Sequence, residues 1–433
     1  MSRCRKVTAM FWLMLSTGIV SFGQQAAAPQ QMSAADKVRF EQLRAEGFEA
    51  LYDLDYEAAR KSFKELARLF PDHPAGPQFL AATLWGQTLN ESRRLQSSLY
   101  SSDSFYEQQE DKVDPRIVRE FRDLTRQAML LAKARLKRNP QDVEALYFLG
   151  ATNGLKAAFA TAVERSFMGA LKDGDDAVER HREVIKLDPN FHDAELTIGL
   201  YDYVVGSLPL PVKLLASLTG ARGSKKRGLL TLQRVANEGR YARDDAKALL
   251  IVLLKREKRY AEALVFSRDL GAKYPRNYLF RLESADALIT LAAADRQAGR
   301  LAEAMTKQRE AIAIFDALLR DRATRDTAGR SLDLIHYRYG EALMTAGELD
   351  DAAKEFIASA GVPTAEQNLA TIAHLRAAQA LDLSGKRNEA LAQYRLVLAR
   401  PNVDDSVDEA KRGLREPYKV KKEEKSIVVN ADS

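Results

Sequence analysis

Apolar residues recur three and four positions apart along most of the chain, which is the spacing of one face of an α-helix. In the clearest stretch, Asp244 to Asn277, Leu250 and Leu254 lie on one face of a first helix. A charged turn follows, and then a second amphipathic helix that Pro275 ends. No convincing series of alternating apolar and polar residues indicates β-strands. The pattern therefore predicts an all-α protein built from short helix pairs.

The same arrangement returns elsewhere, with a regular use of small and aromatic residues. Gly47 precedes Phe63, and Gly340 precedes Phe356, in two other helix pairs. A small residue where two helices cross allows a close approach, and the aromatic ring fills the space beside it. The clearest pair is 34 residues long, which is the length of a known helical repeat. We count about eight such units between residues 36 and 401, several of them with enlarged turns.

These units resemble the tetratricopeptide repeat (TPR) superfamily through the Gly/Ala–Tyr–Ala–Phe–Pro spacing that several of them share. The resemblance implies a right-handed α-solenoid of about eight TPR-like helix–turn–helix repeats, whose first helices line a concave groove. The residues that we expect to line this groove are Arg44, Phe48, Tyr52, Tyr147, Lys255, Arg256, Tyr337 and Glu341. Aromatic side chains beside charged ones suit recognition of a peptide. The same Tyr and Phe side chains equally suit packing against the next repeat.

One unit has a long insertion, "GSLPLPVKLLASLTGARGSKKRG", from Gly206 to Gly228. Its flanks have the pattern of a first and a second helix, so it occupies the turn of one repeat. One interpretation is a short helix that plugs the groove between neighbouring repeats. The other is a hairpin that meets a membrane or an acidic partner through leucine and basic side chains. The hairpin residues would be Leu208, Leu210, Leu214, Leu218, Arg222, Lys225, Lys226 and Arg227.

The order of residues around this insertion also resembles a narrower group, the tetratricopeptide repeat 39 / Iml-type outer-membrane protein family. The resemblance is to a Gly-Leu-aromatic helix end, a Ser-Leu-Pro turn, a Leu-Leu-Ser-Leu segment, a Gly-rich loop and a Gly-Leu helix start. The matching residues are Gly199, Leu200, Tyr201, Ser207, Leu208, Pro209, Pro211, Leu214, Leu215, Ser217, Leu218, Gly220, Gly223, Gly228 and Leu229. This resemblance implies a non-enzymatic helical adaptor, in a family with some members linked to mitochondria or lipid handling.

The N-terminus has the three parts of a secretory signal peptide: a basic start, the apolar run "VTAMFWLMLSTGIVSFG", and a small polar segment. We expect cleavage after Gly23, although an uncleaved membrane anchor is the alternative. The predicted organisation is a signal peptide at 1–23, a flexible linker at 24–35 and a repeat array with a C-terminal capping helix at 36–416. A disordered charged tail at 417–433 follows. These features predict export, most simply to a bacterial periplasm.

Charge and cysteine content narrow the classes of partner. Cleavage would remove Cys4, the single cysteine, and three of the 66 basic residues, which leaves 63 basic against 60 acidic residues. A nearly neutral chain lacks the concentrated basic face that nucleic-acid binding needs. A chain without cysteine has no disulfide framework. The sequence therefore predicts a protein or peptide partner and no nucleic acid.

Candidate catalytic or metal-binding residues are sparse. The five histidines show no metal-ligand spacing; they are His73, His181, His192, His336 and His374. The acidic stretch from Asp173 to Glu179 lacks the ligand pattern of an EF-hand, and we interpret it as the start of a helix. We therefore expect a non-catalytic scaffold without metal or cofactor. The alternatives are a membrane-associated adaptor that uses the insertion in envelope or lipid handling, and an enzyme assembled from scattered acids.

Overall fold

The computed structural model describes residues 32–92, 113–164, 166–208, 213, 222–321, 328–403 and 405–419. This part of the chain contains seventeen α-helices and no β-strand. The first eight helices are α1 Ala34–Tyr52, α2 Tyr56–Leu69, α3 Ala75–Glu91, α4 Pro115–Arg138, α5 Val143–Ala162, α6 Phe167–Leu187, α7 Glu195–Ser207 and α8 Lys225–Glu238. The others are α9 Arg243–Arg256, α10 Tyr260–Lys273, α11 Tyr278–Gln297, α12 Leu301–Arg320, α13 Leu332–Ala346, α14 Leu349–Gly361, α15 Gln367–Leu383, α16 Arg387–Leu398 and α17 Ser406–Arg415.

The helices form eight consecutive pairs and a final single helix. Each odd-numbered helix packs against the next even-numbered one, and each even-numbered helix packs against the first helix of the following pair. First helices of successive repeats also touch, as α11 touches α13 and α13 touches α15. Helix α17 covers the last pair through contacts with both α15 and α16. This serial stacking confirms the predicted all-α solenoid of about eight repeats.

Short polar side chains begin several of the helices. The side chain of Ser33 accepts a hydrogen bond from the amide of Asp36 at the start of α1, 3.1 Å away. Asp142 does the same for the amide of Ala145 at the start of α5, at 3.0 Å. Such caps satisfy amides that have no partner within the helix. Helix α1 therefore begins two residues before the predicted start of the array at residue 36.

Glycine and aromatic residues meet where the two helices of a repeat cross. A Cβ placed on Gly47 would lie 2.3 Å from the ring of Phe63, and one on Gly340 would lie 2.8 Å from that of Phe356. Both rings are completely buried. Each buried ring stabilises the fold by about 2 kcal/mol through removal of apolar surface from water. The predicted use of small residues at helix crossings is confirmed at both positions.

Two segments differ from the sequence interpretation. The acidic stretch 173–179 lies within α6, which begins at Phe167, so the expectation that it starts a helix was wrong. Its acids are bonded to neighbouring helices: Lys156 contacts Asp173 at 2.6 Å, and Tyr201 donates to Asp175 at 2.6 Å. Near the C-terminus, the amide of Tyr418 donates to Asp382 at 2.8 Å. The described chain is thus attached to α15 beyond the predicted boundary at 416.

Candidate functional site

Charged side chains form a row across the first helices of repeats five to seven. Lys255 on α9 contacts Glu283 on α11, and its Nζ lies 3.5 Å from Asp286 on the same helix. On α13, Arg338 contacts Glu341 at 2.9 Å. We call these five residues the charged row.

The row continues with polar contacts into the last repeat. Arg376 on α15 donates to Gln379 at 3.1 Å, and Gln379 donates to Glu409 on the capping helix, also at 3.1 Å. The first helices of repeats five to eight and the capping helix α17 thus contribute basic, acidic and amide groups. A side of the solenoid that carries both signs of charge can pair with the polar groups of another chain.

The members of the charged row are held close enough to change one another's acidity. Burial by itself would lower the pKa of Lys255, but the charges of Glu283 and Asp286 reverse this and raise it above its ordinary value. The charge of Asp286 likewise raises the pKa of Arg338. Lys255 is almost fully buried, whereas the side chains of Arg338 and Glu341 keep 26% and 30% of their surface exposed. The row therefore has an anchored end and an accessible end.

The first repeat folds across onto the fourth, fifth and sixth. The hydroxyl of Tyr52, at the end of α1, donates to Asp245 on α9, and its ring stacks on Tyr274 with centroids 4.9 Å apart. Asn277 donates to the backbone carbonyl of Tyr52 at 2.6 Å. Arg276 contacts Asp55 at 3.2 Å. We call this set of contacts the cross-repeat contact.

A second part of the cross-repeat contact lies two to three helix turns earlier on α1. Arg44 on α1 lies over the ring of Tyr241, with its guanidinium carbon 4.4 Å from the ring centroid. The hydroxyl of Tyr241 donates to Glu41 at 3.0 Å. Buried Asp193 fixes this turn by accepting from the amides of Tyr241 and Ala242, each at 2.7 Å.

Acids gather beneath the cross-repeat contact. Burial raises the pKa of Asp245 to about 6, and the nearby charges of Asp244 and Asp193 add to this, while the hydrogen bond from Tyr52 opposes it. Tyr274 donates to Asp244 at 2.6 Å, and Lys273 also contacts that carboxylate at 2.5 Å. Sequence reasoning did not identify Asp193, Asp244 or Asp245, because an acid in the first turn of a helix is an ordinary feature.

The predicted groove residues are divided between these places and the core. Arg44 and Tyr52 belong to the cross-repeat contact, and Lys255 and Glu341 belong to the charged row. Tyr337 lies beside the row, and its ring packs 5.5 Å from that of Phe356. Their predicted role in partner binding stays a prediction.

Three predicted groove residues form none of the contacts that define these two sets, although Tyr147 lies near the cross-repeat contact. Phe48 packs against the rings of Phe63 and Phe79, with centroids 5.2 Å and 4.8 Å away. Tyr147 stacks on His181, with centroids 5.3 Å apart. Arg256 is half-buried at the end of α9. The two aromatic residues thus pack against other rings of the array, and the role of all three in partner binding stays a prediction.

The insertion leaves and re-enters the array at one point. A Cβ on Gly206 would lie 2.5 Å from the amide nitrogen of Lys225, and one on Gly223 would lie 2.6 Å from the carbonyl oxygen of Asp202. Helices α7 and α8 pack as a pair on either side, with Leu232 fully buried between them. Ser224 caps α8 by accepting from the amide of Arg227 at 3.4 Å. The placement of the insertion in the turn of one repeat is therefore confirmed.

The predicted hairpin residues fall partly outside the described part of the chain, since Leu210, Leu214 and Leu218 are not described. Leu208 is half-buried at the end of α7. Two of the four basic residues bind acids: Lys225 contacts Glu257 at 2.8 Å, and Arg227 contacts Asp202 at 2.5 Å. Arg222 and Lys226 are exposed. Among the described helices, none combines the length and the apolar character needed to cross a bilayer.

The histidines have packing and hydrogen-bonding roles in the described chain. His181 donates to the carbonyl of Tyr147 at 3.0 Å, His336 binds Glu355 at 2.7 Å, and His374 binds Gln393 at 2.8 Å. No group of three histidine, cysteine or acidic residues within the described ranges could hold a metal ion.

Comparison with known proteins gives similarity at the level of the fold. No protein-family model and no curated protein sequence matches the chain. Among solved structures, the human IFIT1 dimer with m7Gppp-AAAA shares 12% identity over 88% of this chain and 85% of that chain, with a TM-score of 0.42. Yeast Tom70 shares 11% identity over 88% of each chain, with a TM-score of 0.33. A tetratricopeptide repeat protein from Parabacteroides merdae shares 14% identity over 78% of this chain and 99% of that chain, with a TM-score of 0.28. Values this low carry no information on ligands, and the narrower resemblance drawn around the insertion stays a prediction.

Proposed function

We propose that this protein is an exported, non-catalytic scaffold that binds a protein or peptide partner along the charged row. The observation that supports the proposal is the accessible end of the row, where the partly exposed Arg338 and Glu341 on α13 are followed by Arg376 on α15. These groups stand on rigid helices whose packing fixes their spacing. A preorganised surface loses little side-chain entropy when a partner binds.

The anchored end of the row supports the same role in a different way. Lys255 is held by Glu283 and Asp286, so its charge is already satisfied. It therefore sets the electrostatic field of the neighbouring acids and needs no partner of its own. Specificity would come from the accessible groups, because charges that are mismatched across an interface are strongly unfavourable.

Export is the second part of the proposal, and it rests on the N-terminal sequence. A basic start, an apolar run and the small residues Ser21 and Gly23 form the pattern that signal peptidases cleave. A periplasmic location would place the scaffold among envelope proteins.

Affinity purification from the exporting compartment tests the proposal. The tagged chain would be compared with an Arg338→Glu/Arg376→Glu variant, and the captured proteins would be quantified by mass spectrometry. We expect at least one protein to be enriched by the wild type and depleted about ten-fold or more by the variant, because charge reversal replaces attraction with repulsion.

A matched control reverses two cations on second helices, Arg309→Glu on α12 and Lys354→Glu on α14, which are both exposed. The control should capture the same proteins as the wild type. Equal losses in both variants would mean that net charge governs capture. Unchanged capture by the row variant would remove the charged row as the binding site.

A further inference from the structure

A cleft of about 360 Å³ opens between the second helices of repeats three and four. One wall is α6, the other wall is α8, and the floor is α7, which packs against both. The lining residues recur at helical spacing on each element, so that each helix presents one stripe to the cleft. The stripes consist of Arg182, Ile185 and Lys186; of Glu195, Ile198 and Asp202; and of Arg227, Thr231 and Arg234.

The acids on the floor are already paired with one wall. Arg227 binds Asp202 through two contacts of 2.5 Å, and Arg234 contacts Glu195 at 2.8 Å. Asp202 is almost fully enclosed, with 6% of its side chain exposed. Because both of these arginines of α8 are paired with acids of α7, their positive charges are largely compensated. The same pairs hold the two guanidinium groups in place at the cleft.

The opposite wall has cations without such partners. Arg182 and Lys186 are exposed, and neither forms an ion pair with any residue in the described ranges. Two acids of α6 and α8 that do not line the cleft have other partners: Asp175 accepts from Tyr201, and Glu238 lies 3.3 Å from His192. Four cations against two acids give the lining a net charge of +2, counted from the nine lining residues.

The floor and one wall also offer apolar surface, from Ile185 and Ile198. A ligand that matches the cleft has negative groups next to a short apolar body. Residues 209–221 of the insertion do not match such a ligand, because their sequence contains no acid.

We infer that this cleft binds an acidic peptide segment, with a carboxylate between Arg182 and Lys186 and its aliphatic carbons on Ile185 and Ile198. The site is separate from the charged row and does not depend on it. A three-sided cleft suits an extended chain better than a bilayer, because cations on opposed walls cannot all reach one flat surface.

Fluorescence anisotropy with a labelled octapeptide of alternating glutamate and leucine tests the inference on the full chain. We expect saturable binding that weakens as salt rises from about 50 mM to about 300 mM, since partly exposed charges are screened. An Arg182→Glu/Lys186→Glu variant should bind the peptide at least ten-fold more weakly. A peptide with glutamine in place of glutamate should not bind the wild type.

A matched control reverses Lys172 on α6 and Lys226 on α8, which are exposed and do not line the cleft. Both variants change the net charge equally, and circular dichroism verifies that both are folded. The control should bind within two-fold of the wild type. Equal loss in both variants, or no binding by the wild type, would overturn the inference.

Two further probes identify other occupants. Inorganic phosphate would be added at constant ionic strength. Displacement of the labelled peptide by phosphate would show a general anion site instead of a peptide site. Flotation with vesicles of phosphatidylglycerol and phosphatidylcholine that depends on Arg182 and Lys186, without peptide binding, would show a lipid site. Either result replaces the peptide inference. Because the charged row is not altered in these experiments, their failure leaves the proposed function standing.

Discussion

The hydroxyl of Tyr52 donates a hydrogen bond to Asp245, a residue 193 positions later in the chain. This contact joins the first repeat to the fifth, whereas repeats in a simple solenoid contact only their neighbours. The stacked ring of Tyr274 and the Asn277 amide strengthen the same junction. The first half of the array is therefore held by contacts between distant repeats in addition to serial ones.

Replacing Tyr52 by Phe should lower the free energy of unfolding by about 1 to 2 kcal/mol, because the half-buried carboxylate of Asp245 loses its donor. Urea titration followed by circular dichroism measures the change. Tyr260→Phe is the control, since this half-buried tyrosine on α10 begins its helix outside the junction. Equal costs for the two substitutions would contradict a specific role for the Tyr52 hydroxyl.

The buried imidazole of His181 should make the folded protein less stable in acid. Burial lowers the pKa of His181 to about 4. Between pH 6.5 and 4, this imidazole is therefore protonated in the unfolded chain but stays neutral in the folded chain. The unfolding free energy should therefore fall by at most about 3 kcal/mol across that range on account of this residue. The wild type and His181→Gln should be compared by urea unfolding at several pH values.

The difference between these two proteins is the relevant readout, because Asp245 acts with the opposite sign. Its raised folded pKa of about 6 means that the folded chain holds a proton more tightly, so its contribution favours folding as the pH falls. Asp245 is present in both proteins, so its contribution cancels when the unfolding free energy of His181→Gln is subtracted from that of the wild type. A difference that is constant from pH 7 to 4.5 would show that His181 does not resist protonation.

The helix crossing at Gly47 should not accept a methyl group. Gly47→Ala places a Cβ 2.3 Å from the buried Phe63 ring, and we expect a cost of about 1 to 3 kcal/mol from overpacking. Gly174→Ala is the matched control, because a Cβ there meets nothing within 4 Å inside α6. That control should stabilise the protein by about 0.5 to 1 kcal/mol through helix propensity. Thermal unfolding of both variants separates the two outcomes.

The N-terminal prediction has a direct chemical test. If the signal segment is cleaved after Gly23, the purified exported protein begins at Gln24 and contains no cysteine. Intact-mass measurement and a thiol assay should both report this. Retention of Cys4, with the protein in the membrane fraction, would establish the anchored alternative.

Local pattern was enough to predict the helix pairs and their internal packing. The spacing from Gly340 to Phe356 places both residues at the crossing of α13 and α14, because a helix pair with a short turn has one geometry. The same reasoning assigned the long insertion to a turn, since the helices before and after it retained the repeat pattern. These features depend on residues close together in sequence.

The junction between Tyr52 and Asp245 could not be predicted in this way. Its formation depends on a small rotation at each of several repeats, and these rotations add along the solenoid. The total rotation between the first and the fifth repeat cannot be deduced from the spacing of residues in the sequence. The cleft between α6 and α8 was missed for a related reason, because Arg182 and Arg234 look like ordinary exposed residues of two separate helices.

The cross-repeat contact also determines how the molecule responds to force. A solenoid whose repeats touch only their neighbours lengthens under tension like a spring. In this chain, the first repeat is linked to the middle of the array by contacts of Tyr52, Arg276 and Asn277. Tension applied between the ends should therefore extend repeats six to eight first, while the first half stays rigid until the link breaks. The protein would then combine a stiff body with an elastic arm, and the charged row runs from that body, at Lys255, into the arm.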